Sequence, residues 1–151
     1  MRQSIESLDN RFADTHRQSC ELIAGLSTEW LYAKPLDAGA TGSCGEQVLR
    51  SAAVIEQSFG GLTANLWDDP FEWTLPETLN TPAKVLEYLG EVEETRRRAF
   101  EAMRSDEDLS REIMTPRGSM KLMPFLLDTL ERARHHQQRA TAILEKLKTE
   151  N

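Results

Sequence analysis

The sequence predicts an all-α domain in which four amphipathic helices of similar length pack as a bundle. Three observations carry this expectation. Apolar residues recur at alternating spacings of three and four, which places them on one face of a 3.6-residue helix. Two segments open with helix-start residues, and none shows the period-two alternation of a strand. With 151 residues, 39% of them hydrophobic, the chain matches one domain with a real core, 1–151. No linker, repeat or low-complexity tract divides it.

The first helix is expected from about Ile5 to Leu26, with Leu8, Phe12, Cys20, Ile23 and Ala24 among its apolar positions. Ser27 reads as the cap of a short turn through Glu29, Trp30 and Leu31 that Pro35 ends. Gly39, Gly42 and their small neighbours read as loop. Ser43 and Glu46 then form an S-x-x-E capping box, in which each side chain serves the other's free backbone N–H. Behind it Val48, Ala52, Ile55, Phe59 and Leu62 line one face of a second helix. Gly60 and Gly61 each cost that helix roughly 1 kcal/mol relative to Ala, and mark a close crossing, a kink or an early end.

An acidic, aromatic, proline-rich loop follows from Trp67 to Pro76. Thr81 and Pro82 suit the cap and first turn of a third helix. It carries Val85, Leu89, Val92, Ala99 or Phe100, and Met103 inward, and ends near Ser105. The stretch from Asp106 to Ser119 is expected to be a polar connection, turned by Pro116 and Gly118. In the fourth helix Leu122, Leu126, Thr129, Ala133, His136, Ala140, Ile143 and Leu147 alternate by four and three without a break. Pro124 fits only within its first turn.

A net charge of −7 disfavours nucleic acid and anionic membranes as main partners, because both need a positive surface. The polar stretch from Met1 to Asn10 lacks the apolar core of a secretory signal, and no apolar run approaches a membrane span. Cys20 and Cys44 are far apart and lack a CxxC partner, so a disulfide framework is not expected and a reducing, cytoplasmic compartment is. No P-loop, dinucleotide, zinc-protease or serine-hydrolase signature is present.

His136 falls on the apolar stripe of the fourth helix, with Arg132 one turn before it and Arg139 almost one turn after. A lone histidine among apolar positions is more often a satisfied core residue than a ligand or catalyst. Its neighbour His135 points about 100° away, toward solvent.

Three segments carry a family resemblance: Leu26-Ser27-Thr28-Glu29-Trp30-Leu31, Ser43-Cys44-Gly45-Glu46-Gln47-Val48-Leu49-Arg50, and Leu130-Glu131-Arg132-Ala133-Arg134-His135-His136-Gln137-Gln138. Together with the order of helices they resemble the DinB-like superfamily over nearly the whole chain. The resemblance implies a four-helix bundle of up-down-down-up topology with a long crossover between the second and third helices. The stretch from Trp67 to Asn80 would span roughly 45 Å if extended, enough for that crossover.

Many DinB-like members resemble metalloenzymes with three histidine ligands, and the resemblance places those positions at Arg50, Arg132 and His136. Only the last is histidine, and a protonated guanidinium offers no lone pair to a metal. No metal cofactor is therefore expected. The alternative is a divalent ion such as zinc or nickel in a non-standard set drawing on His16, Cys20, Glu46, Glu56 or Asp128, serving a thiol transferase or hydrolase of a small substrate.

Glu46 precedes Arg50 and Asp128 precedes Arg132 at i,i+4, so salt bridges filling the former metal space are the first expectation. A positive pocket for a carboxylate or phosphate is the second, with Arg50, Arg132 and His136 as its ligand-binding residues. A protein partner is the other binding expectation, and the resemblance also implies a homodimer. Elsewhere, Arg96-Arg97-Arg98 behind Glu93 and Glu94 reads as a solvated, charge-paired face. Trp67, Phe71 and Trp73 read as rings folded over the end of the core, or as a pocket mouth. Asp68, Asp69 and Glu72 read as an exposed acidic loop.

Overall fold

Ser43 and Thr81 start two long helices as the sequence predicts: each side-chain oxygen accepts the backbone N–H three residues on, from Glu46 and Lys84, at 3.2 Å. The computed structural model describes residues 1–36, 42–72 and 74–150. It is mostly helical, with α1 (Gln3–Ala24), a short α2 (Thr28–Leu31), α3 (Cys44–Ala64), α4 (Pro82–Glu101) and α5 (Leu122–Glu150). The four expected helices are α1, α3, α4 and α5, each within a few residues of its expected bounds. Gly39 and Trp73 lie outside the described residues.

α3 packs on α5 and α4, and α1 packs on α4 and α5, so each long helix touches at least two others. Between them lies one apolar core. At its centre Phe12, Phe59 and Phe100 meet with ring centroids 5.5–5.7 Å apart. Of the two inward candidates on α4, Phe100 is the buried one.

The connection before α5 corrects the sequence reading. A 3-10 turn (Asp106–Ser110) leads into an antiparallel hairpin of β1 (Glu112–Thr115) and β2 (Gly118–Lys121), where a polar loop was expected. Only four residues per strand alternate, too few for the pattern to stand out. Gly118, at φ +110°, takes the backbone conformation that closes the two-residue turn. The 3-10 turn also caps α1, since Asp106 accepts the N–H groups of Ser4 and Ile5 at 3.0 Å.

Gly60 and Gly61 mark an end rather than a helix crossing. Asn65 adopts the left-handed conformation and its N–H returns to the Gly61 carbonyl at 3.0 Å in an αL cap, while the Leu66 N–H reaches the Gly60 carbonyl at 3.1 Å. Gly61 is required by the indole of Trp67, which lies where a β-carbon would sit, 2.4 Å from the nearest ring atoms. The second correction is Arg96. Its neighbours Arg97 and Arg98 are solvated as expected, but Arg96 is 1% exposed and paired with Asp9 and Glu93. Its guanidinium carbon lies 5.3 Å from the Phe100 ring centroid and 5.8 Å from that of Phe12. A run of three arginines on a helix points in three directions, and one of them faces α1.

Candidate functional site

Small and hydroxyl-bearing residues hold α3 close to α5. Ser51 donates to the Ala133 carbonyl at 2.7 Å, and Ser58 and Thr129 share a buried hydrogen bond of 2.7 Å. Along this seam α3 contributes Arg50 and α5 contributes Arg132 and His136. All three line one cavity of about 120 Å³, together with Gln57, Asp69 and Phe71. The three positions marked by the resemblance, 82 or more residues apart between helices, thus converge.

Their partners differ from the expected ones. Asp128 does pair with Arg132, at 3.3 Å, and the same carboxylate oxygen reaches Arg117 at 3.3 Å. Among the described residues no ion pair joins Glu46 to Arg50. The Arg50 guanidinium lies instead over the ring of Phe71, 4.0 Å from its centroid, a cation–π contact delivered by the loop after α3. The Glu46 carboxylate turns toward Gly42, where a β-carbon would meet it at 2.7 Å. The expectation that salt bridges fill this space is therefore met on the Arg132 side and not on the Arg50 side.

His136 is half-buried on the edge of the apolar stripe, and its neighbour Gln137 is buried. From Ala133, a step of four advances about 40° and a step of three falls about 60° short, so Gln137 lies nearer the centre of the face. Gln137 donates to the Thr15 carbonyl and to Ser19, tying α5 to α1.

His136 Nδ1 lies 2.8 Å from Oε1 of Gln47, itself 4% exposed. With that oxygen accepting, Nδ1 carries the proton and Nε2 keeps the lone pair. Burial pushes the imidazole's pKa below its usual value, and Arg139, Arg50, His135 and Arg132 push it further the same way. His135 is exposed, as expected.

The alternative metal donors are dispersed. His16 and Cys20 contact each other on α1, with Sγ 3.5 Å from Nε2, and His16 lines a separate small cavity toward α3 and α4. Burial, then Glu93 and Glu21, raises the Cys20 thiol's pKa. Burial raises the pKa of Glu56, and Asp128 is occupied with two arginines. Two guanidiniums and one imidazole with Nδ1 engaged do not fit a three-ligand metal centre. Among the described residues no three His, Cys, Asp or Glu side chains gather to hold an ion.

Sequence reasoning missed Gln47, Gln57 and Asp69 as site residues, while the pocket-mouth reading named Phe71, which does line the cavity. Gln47 sits one turn before Arg50 on α3, a spacing that signals a shared face. Asp69 accepts the Phe71 N–H at 3.0 Å, which shapes the loop that carries the ring; no helical period marks either residue.

No family model matches the chain, and no curated protein matches it. A solved structure does: the crystal structure of the conserved protein of locus from Enterococcus faecalis superposes with a TM-score of 0.70 at 15% identity, over 97% of each chain. At that identity the likeness concerns the fold. No helix among the described residues is long and apolar enough to cross a membrane.

Proposed function

We propose that this chain is a DinB-like four-helix bundle of up-down-down-up topology, and that its former metal centre binds a small anionic molecule without metal. The pairwise packing of α1, α3, α4 and α5, and the long segment 65–81 that joins α3 to α4, support the topology. One observation carries the functional reading: Arg50, Arg132 and His136 line a single cavity. Two permanent guanidinium charges there face a histidine that gains a proton more readily once an anion is beside it. Around them three guanidiniums, of Arg50, Arg117 and Arg132, stand against two carboxylates, of Asp69 and Asp128. This local surplus of positive charge lies in a chain of net charge −7. Among the described residues a protein partner, the other binding expectation, has no comparable feature in its favour.

Calorimetric titration with sulfate and with acetate tests the reading. Binding is expected in the wild-type chain and expected to weaken at least about tenfold in each of Arg50→Gln and Arg132→Gln, as the loss of one charge-assisted guanidinium contact in each implies. Equal affinities in wild type and both variants, or no binding at all, would remove the proposal.

A further inference from the structure

Beside the arginine-lined cavity, and sharing side chains with it, is a second one of about 300 Å³, lined by Trp67, Phe125, Pro116 and Arg117 and by the hydroxyl-bearing Ser58 and Thr115. Arg132 and Gln57 belong to both spaces. We infer that the ligand is an amphipathic anion: a carboxylate or phosphate held by Arg50 and Arg132, attached to a flat apolar group that lies against Trp67 and Phe125. The inference rests on the anion-site reading above and adds the chemical class of the ligand.

Each wall of the second cavity is fixed by its own contacts. The Trp67 ring lies on the glycine backbone of Gly61 and meets Phe125 edge-on, at 90° with centroids 5.8 Å apart. Its indole N–H donates to Asn65 Oδ1 at 3.0 Å, so the group's one polar atom is already satisfied and its remaining surface is apolar. Gln57 donates to the Trp67 carbonyl at 2.7 Å and so holds that residue against α3. On the opposite side Thr115 donates to the Gly118 carbonyl and accepts from the Arg117 N–H, which stiffens the turn presenting Pro116 and Arg117. An apolar wall beside a cationic one selects molecules with both features, because filling it displaces water from the exposed part of the half-buried Trp67 ring, with the buried Phe125 edge behind it.

Three probes separate the outcomes: acetate, phenylacetate and benzyl alcohol. In the wild-type chain phenylacetate is expected to bind at least roughly tenfold more tightly than acetate, the gain from burying one ring. Benzyl alcohol is expected to bind far more weakly than phenylacetate. Trp67→Leu should erase the advantage of phenylacetate while leaving acetate unchanged. Because that variant disturbs the end of α3, a second readout uses Trp30→Phe/Trp73→Phe, in which Trp67 is the sole indole and its fluorescence should respond to phenylacetate and not to acetate. Equal affinity for the two carboxylates overturns the inference and leaves the anion site standing. Benzyl alcohol binding as tightly as phenylacetate also overturns it, since the two cavities would then act independently. Failure of both carboxylates to bind removes the anion site itself.

Discussion

Nδ1 of His136 and the side-chain oxygen of Gln47 lie 2.8 Å apart, joining α5 to α3 at the edge of the arginine-lined cavity. Burial, first of all, lowers the pKa of this histidine, and Arg139, Arg50, His135 and Arg132 lower it further.

The pH dependence follows from that environment. His136 has a folded-state pKa below its unfolded value of about 6.5, so as pH falls the unfolded chain takes up the proton first. Its contribution to stability is therefore full above about pH 6.5 and is lost as pH falls from there to the lowered folded value. The difference in unfolding free energy between wild type and His136→Gln should change in that window and be flat above it. Sulfate, whose charge is constant there, should raise the His136 midpoint in an NMR titration and bind more tightly at lower pH. A midpoint unmoved by saturating sulfate would count against His136 as part of the site.

Arg132→Gln should separate binding from stability. The Arg132 and Asp128 side chains are 42% and 40% exposed, so solvent screens their ion pair and its loss should cost no more than about 0.5 kcal/mol in urea unfolding. Affinity for sulfate should nevertheless drop about tenfold. A large loss of stability would mean that the arginine is structural.

Arg96 makes the opposite prediction. Removing a 1% exposed guanidinium strips Glu93 and Asp9 of their partner and leaves a void beside Phe12 and Phe100. Arg96→Ala should destabilise by roughly 2–4 kcal/mol. Arg96→Met keeps most of the volume and should cost clearly less. Among the described residues one terminal nitrogen of Arg96 has no hydrogen-bond partner, so part of the buried charge's desolvation cost is already uncompensated. The comparison in urea decides whether packing or charge dominates.

Two glycines test the close approach at the end of α3. Gly90, on α4, has no atom within 4 Å of a built β-carbon, so Gly90→Ala should stabilise by about 0.5–1 kcal/mol through helix propensity alone. At Gly61 the same change drives a methyl group into the Trp67 ring. The clash should outweigh the propensity gain, giving a net loss of about 1–3 kcal/mol and a shifted tryptophan emission. Equal effects at both sites would show that the indole does not lie on Gly61.

Local chemistry made the helices legible. Ser43 and Thr81 act on N–H groups three residues away, and the apolar stripes of α3 and α5 repeat within each turn, so both could be read from short stretches of sequence. The same stretches named Arg50, Arg132 and His136, through the segments that resemble the DinB-like superfamily. Contacts between distant residues could not be read this way. Asp106 caps a helix 101 and 102 residues earlier in the chain, and Arg96 is buried because Asp9 meets it from α1. Phe71 takes Arg50 away from Glu46 through a loop without periodicity. A side chain's burial and partner depend on what the rest of the chain brings to it, and in this protein that decided which residues became core, which became cap and which became cavity wall.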